Sequence, residues 1–72
     1  MRKVDRKLLA MTIVDLLQRS GALKYEELYK QTKKRHDDLS EPEMDEALMK
    51  MEIEGLVRVY RIPKGKWRIE LS

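Results

Sequence analysis

Cysteine and phenylalanine are absent from this 72-residue sequence, and glycine and proline are rare, with three and two residues. Without cysteine, the fold has no disulfide and no thiolate-bound metal to stabilise it. Long apolar runs are missing too: the longest spans only Leu8–Met11, against the roughly 20 residues that cross a bilayer. No apolar stretch follows the basic start of the chain, so we expect no signal peptide, no membrane contact and a cytoplasmic location.

Side chains that catalyse reactions or bind metals are scarce as well. His36 is the only histidine and lies beside Asp37 and Asp38 in a predicted turn, whereas a zinc site needs several nitrogen or sulfur ligands. Each of the three glycines has a role at a helix end or in a turn, which leaves none for a phosphate-binding loop. We therefore expect a protein that is not an enzyme and that binds no metal and no cofactor.

The composition is that of one small folded domain spanning residues 1–72. Apolar residues make up 42% of the chain and charged residues 40%, which is too apolar for a disordered segment. A chain of this length buries only roughly 60% of the surface that it exposes when unfolded, so its core is thin.

The net charge of +3 conceals a strong asymmetry along the chain. Residues 37–56 contain eight acidic residues and one lysine, a net charge of −7. The rest of the chain contains fifteen basic and five acidic residues, a net charge of +10. Any function assigned to the protein has to account for one acidic segment surrounded by basic ones.

The first helix is predicted to begin after Asp5, a suitable N-cap, and to end at Ser20-Gly21. Its apolar residues form one broad stripe that we expect to face the core: Leu9, Ala10, Ile13, Val14, Leu16 and Leu17. Leu8 and Met11 fall outside this stripe, so they are either exposed or the contact of a homodimer.

A short extended segment over residues 22–24 and a second helix over residues 25–35 follow. The second helix has acidic residues in its first turn and basic residues in its last, which suits the helix dipole at both ends. Its buried side is predicted to be Leu28, Tyr29 and Thr32.

The third helix has the clearest boundaries in the chain. Ser40 is the predicted N-cap, Glu43 completes a capping box, and Gly55 is suited to the left-handed position just after the helix. The helical period places four apolar residues on one face, which we expect to be buried: Met44, Ala47, Leu48 and Met51. Glu52 and Glu54 oppose the helix dipole near the helix end. These two glutamates pair either with basic residues of the same molecule or with a basic partner.

The chain is predicted to end in a β-hairpin. Residues 57–62 and 67–71 both alternate in the manner of strands, and Trp67, Ile69 and Leu71 share one side. The segment 63–66 between them has the proline and glycine of a tight turn. Trp67 is either part of the core or free to stack on a base or a sugar.

These elements resemble the winged-helix variant of the helix-turn-helix. Ser20-Gly21-Ala22-Leu23 with Glu26-Glu27-Leu28 is similar to the passage between helices 1 and 2 of that family. Gly55-Leu56-Val57 is similar to its exit from helix 3, and Pro63-Lys64-Gly65-Lys66 to its wing tip. The resemblance covers nearly the whole chain and departs from the family at Lys24, which cannot cap helix 2. It implies a mainly α fold with a small antiparallel sheet (α+β), made of three helices and a C-terminal β-hairpin wing.

In DNA-binding members of this family, helix 3 enters the major groove. Here its outward positions include two carboxylates, and duplex DNA, with a negative charge about every 1.7 Å of its axis, repels them. Met49 and Ile53, four residues apart, are typical of a protein contact with a charged rim, unless Ile53 packs under the wing. We therefore expect helix 3 to contact a protein partner through five residues: Asp45, Glu46, Met49, Lys50 and Ile53.

The basic residues of the wing and of helix 2 are the predicted contacts to a nucleic-acid backbone, most simply that of duplex DNA: Arg58, Arg61, Lys64, Lys66, Arg68, Lys33 and Lys34. We thus expect a non-enzymatic binding module in transcription or another nucleic-acid transaction. Two alternatives remain open at this point. One is a sequence-specific transcription regulator that uses helix 3 despite its charge. The other is an adaptor that binds only proteins.

Overall fold

A computed structural model describes residues 5–63 and 67–72 of the chain. The elements follow in the order α1 (Arg6–Ser20), β1 (Ala22–Lys24), α2 (Tyr25–Arg35), α3 (Glu41–Ile53), β2 (Val57–Arg61) and β3 (Trp67–Leu71). The three strands form one antiparallel sheet in the order β1-β3-β2. This confirms the predicted α+β class with three helices, a small antiparallel sheet and a C-terminal hairpin. Among the described residues, no helix combines the length and the apolar character needed to span a membrane.

Local signals set the starts of α1 and α3 as predicted. The Asp5 carboxylate accepts hydrogen bonds from the backbone N–H groups of Lys7 and Leu8, at 2.9 and 3.1 Å. Ser40 and Glu43 form the predicted capping box at the start of α3. The α2 helix begins after Lys24 without a side-chain cap, so tertiary contacts have to hold this helix end in place.

The end of α3 is a Schellman motif. Gly55 adopts a φ of 79°, which a residue with a Cβ tolerates poorly. The backbone N–H of Leu56 donates to the backbone carbonyl of Met51 at 2.8 Å. The backbone N–H of Gly55 donates to the backbone carbonyl of Glu52 at 3.0 Å. The chain is thereby turned sharply from α3 into β2.

The core lies between the three helices and one face of the sheet. Its buried residues come from every helix, from β2 and β3, and from the turn before α3: Leu9, Ile13, Leu16, Leu17, Leu28, Leu39, Met44, Leu48, Met51, Val57 and Ile69. Trp67 packs against this cluster and is partly buried, which favours the first of its two predicted roles, a part of the core.

The pairing register decides which side chains share a face of the sheet. Directly opposed residues lie on the same face, and successive residues alternate. Val57 opposes Leu71, Val59 opposes Ile69 and Arg61 opposes Trp67, so these pairs face the helices. The other face is solvent-exposed and carries the pairs Arg58–Glu70 and Tyr60–Arg68, with Lys24 of β1 on the far side of Arg68.

Candidate interaction surfaces

The solvent side of the sheet brings together basic residues from all three strands. We call Lys24, Arg58, Tyr60, Arg68 and Glu70 the outer sheet face. Lys24, Arg58 and Arg68 are exposed, and Tyr60 keeps 46% of its area accessible. Three basic residues and one acidic residue give this face a net charge of +2.

The single acid on the outer sheet face is held by a tyrosine. The Tyr60 hydroxyl donates to a Glu70 carboxylate oxygen at 3.2 Å, across the diagonal of the strand pair. Within residues 5–63 and 67–72, the charged groups of Lys24, Arg58 and Arg68 form no ion pair or side-chain hydrogen bond. These charges are therefore available to an external anion.

Arg61 lies apart from this surface, on the helix-facing side of β2. Its guanidinium donates to both oxygens of Glu52 on α3, at 3.0 and 3.3 Å, and lies 5.0 Å from the centre of the Trp67 ring. The hydrogen bond from Arg61 lowers the pKa of Glu52 below its ordinary value. The alternation of Val57, Val59 and Arg61 in the sequence was a signal for this placement, since it puts Arg61 in phase with the buried valines.

The other predicted nucleic-acid contacts have different environments. Lys33 donates from Nζ to the backbone carbonyls of Leu39, at 2.7 Å, and Asp37, at 3.2 Å, so it holds the turn between α2 and α3. Lys34 is exposed on α2. Lys64 and Lys66 lie outside the described residues.

A chain of side-chain contacts ties α3 to the sheet at two points. Trp67 meets the ring of Tyr25 edge to face, with centres 5.8 Å apart. The Tyr25 hydroxyl donates to the Asp45 carboxylate at 2.6 Å. Burial, reinforced by this hydrogen bond, raises the pKa of Tyr25 above its ordinary value. Asp45 and Glu52, two helical turns apart, thus connect α3 to Tyr25 and Arg61 respectively.

Several acids of α3 are therefore engaged within the molecule. Asp45 and Glu52 are bound as described, Glu43 belongs to the capping box, and Glu46 lies 3.5 Å from Arg6 of α1 in an exposed ion pair. Of the two alternatives for Glu52, the structure supports pairing within the same molecule, with Arg61. Exposed pairs such as Arg6–Glu46 contribute little free energy and exchange readily with other ions.

Two apolar side chains project from α3 beside these acids. Met49 is 56% exposed and Ile53 79% exposed, so Ile53 does not pack under the wing. We call Met49 and Ile53, with the exposed Lys50 next to them, the α3 ridge. On α1, Leu8 and Met11 are also exposed, at 54% and 65%. A homodimer contact through them stays a prediction.

A groove between α1 and α3 was not anticipated from the sequence. It encloses about 460 Å³ over an apolar floor, and its rim carries charges of both signs: Arg6, Lys7, Glu43, Glu46, Lys50 and Glu54. Side chains of two helices form it, so neither helix pattern alone could indicate it.

The acidic and histidine side chains of the described residues are dispersed over the fold. No group of three or more acidic or histidine side chains is arranged to hold a metal ion within that part of the chain. His36 instead lies 2.9 Å, through Nε2, from the hydroxyl of Thr12, and so links the end of α2 to α1.

No protein-family model, curated protein sequence or solved structure matches this chain significantly.

Proposed function

We propose that this chain is a winged-helix binding module that contacts a nucleic-acid backbone with its outer sheet face and a protein partner with its α3 ridge. The order of helices and strands supports the assignment to the winged-helix family. The function belongs to transcription or another nucleic-acid transaction and involves no catalysis.

The observation that carries the proposal is the separation of charge between two sides of the fold. Lys24, Arg58 and Arg68 come from three strands and converge on one exposed face without ion-pair partners among the described residues. Phosphate contacts from lysine and arginine position a protein on nucleic acid irrespective of sequence. Lys64 and Lys66, which lie outside the described residues, stay predicted backbone contacts of the wing tip.

The α3 helix is poorly suited to the major groove. Its exposed side presents Glu46 next to the α3 ridge, and Asp45 is bound to Tyr25. Duplex DNA repels such carboxylates.

The α3 ridge is instead suited to a protein. Met49 and Ile53 are exposed, apolar and one turn apart, and the charges of Glu46 and Lys50 border them. Apolar contacts with a polar rim are the usual composition of protein interfaces, and methionine adapts its shape to a partner.

An NMR titration of the labelled protein with a mixed-sequence duplex, at low and moderate salt, tests the proposal. We expect amide shifts in residues 58–60 and 68–70 that weaken as salt increases. The double variant Arg58→Ala/Arg68→Ala is expected to lose these shifts, whereas Lys30→Ala, an exposed base on α2, serves as the matched control.

Two other results would each favour a different function. Persistent shifts in residues 45–53, together with loss of binding in Lys50→Ala, would identify a sequence-specific DNA reader. Absence of shifts at either salt, for duplex and for single strands, would leave an adaptor that binds only proteins, with Ile53→Asp as the variant that disrupts its complex.

A further inference from the structure

The outer sheet face combines an exposed aromatic ring with cations on both sides. Tyr60 lies directly opposite Arg68 in the sheet, and Arg58 is two residues away on the same strand and the same face. Residues two apart on one face are separated by roughly 7 Å, and opposed residues by roughly 5 Å. A ligand that covers the Tyr60 ring therefore comes within reach of both guanidinium groups.

The Tyr60 ring is also held in position. Its hydroxyl donates to Glu70 at 3.2 Å, which ties the end of the side chain to the neighbouring strand. Nearly half of the residue remains accessible, at 46%. A ring that is already oriented loses less conformational entropy when a flat group stacks on it.

We infer that the outer sheet face binds single-stranded nucleic acid, with one base stacked on Tyr60 and the flanking phosphates bound by Arg58, Arg68 and Lys24. This inference rests on the proposed function and names the class of nucleic acid. Stacking on an aromatic side chain between basic residues is a general way of holding unpaired strands, because every base has a flat face.

A duplex fits this surface less well than a single strand. The bases of a duplex are stacked inside it and cannot reach a ring on a flat sheet face. Glu70 also lies among the cations, opposite Arg58. An unpaired base can turn an N–H edge towards this carboxylate as a hydrogen-bond donor, whereas the pairing edges of duplex bases are already occupied inside the helix.

Fluorescence anisotropy with the full chain tests the inference, using a 5′-labelled twelve-nucleotide oligo(dT) and a mixed-sequence duplex of the same length at low salt. Tighter binding of the single strand is expected. Tyr60→Leu keeps an apolar strand residue but removes the stacking surface, and should weaken oligo(dT) binding about 5- to 150-fold. Tyr60→Phe keeps the ring and should bind within a few-fold of the original protein.

Two further variants separate stacking from charge. Arg68→Ala is expected to reduce the dependence of log affinity on log salt by roughly 0.7 for the single strand, as one phosphate contact is lost. Lys30→Ala, on α2, should leave affinity for the oligonucleotide unchanged. Circular dichroism of each variant verifies that the fold is retained.

The outcomes distinguish this inference from the proposed function. Tighter duplex binding, or equal oligo(dT) affinity for Tyr60→Leu and the original protein, overturns the single-strand inference while the backbone-binding function stands. If neither nucleic acid binds at low salt, both the inference and the nucleic-acid part of the proposed function are wrong.

Discussion

Arg61 on β2 donates two hydrogen bonds, of 3.0 and 3.3 Å, to the two carboxylate oxygens of Glu52 near the end of α3. A glutamate at that position opposes the helix dipole, so α3 alone gives no reason for it. Its role is instead to connect the helix to the hairpin. The guanidinium also covers Trp67, so one side chain joins α3, β2 and β3.

Breaking the Arg61–Glu52 pair should lower stability only modestly, because both groups are accessible to water and salt screens them. We expect Glu52→Ala to lower the midpoint of thermal unfolding, and the difference from the original protein to shrink in 1 M NaCl. Arg61→Met retains the packing of the side-chain stem on Trp67 and should be milder than Arg61→Ala. A double-mutant cycle without coupling between the two positions would contradict the contact.

Stability should depend on pH through the same pair. The hydrogen bond from Arg61 holds the pKa of Glu52 below its ordinary value of 4.5. Since the pKa of Glu52 is lowered in the folded state, the pair stabilises the fold above about pH 4.5. This contribution to stability is lost as the pH falls through the pKa of the folded state. Urea unfolding of Glu52→Gln between pH 3 and pH 6 should therefore show a weaker loss of stability on acidification.

An NMR titration of the Glu52 carboxyl in Arg61→Gln is the direct control for this pH dependence. Removing the donor should return the pKa of Glu52 towards its ordinary value. An unchanged pKa in that variant would show that Arg61 is not the cause of the shift.

Gly55 should resist substitution for reasons of backbone conformation alone. Its φ is 79°, and an added Cβ would meet nothing within 4 Å. We expect Gly55→Ala to lower the free energy of unfolding by about 1–2 kcal/mol, the cost of the left-handed region for an ordinary residue. Gly55→Asn should lower the free energy of unfolding by less, because asparagine tolerates the left-handed region. Chemical denaturation of the three proteins provides the comparison, and equal stabilities would exclude the Schellman geometry.

The α3 ridge should tolerate polar substitution without loss of folding. Because Ile53 is 79% exposed, Ile53→Asp is expected to change the free energy of unfolding by less than about 0.5 kcal/mol. Leu48→Ala, at a buried position on the same helix, should by contrast cost about 2–5 kcal/mol. A large loss of stability in Ile53→Asp would mean that the ridge is packed within the protein and is not a free surface.

The predictions made from the sequence succeeded where the signal is short-range. Ser40 and Glu43, three residues apart, define the start of α3, and Gly55 defines its end. Such caps depend on backbone groups within a few residues, so the linear order contains all the information they need. The alternation of Trp67, Ile69 and Leu71 predicted their common face in the same way.

Sequence reasoning did not separate the basic residues of the hairpin into two groups. It treated Arg58, Arg61 and Arg68 as one surface. In the structure Arg61 is bound to Glu52 on the helix-facing side, while Lys24 joins Arg58 and Arg68 on the other. The alternation of β2 contained part of this information, but the contribution of Lys24 did not show in any local pattern.

The sequence by itself thus determined the helix boundaries, the buried faces and the asymmetry of charge, since each follows from residues close together in the chain. Only the tertiary structure decided which charges remain available. Lys24 lies beside Arg68 because β1 pairs with β3, and Asp45 meets Tyr25 because α3 packs against α1 and β2. Such partners are selected by the packing of distant segments, and whether a charge is neutralised or exposed depends on that packing.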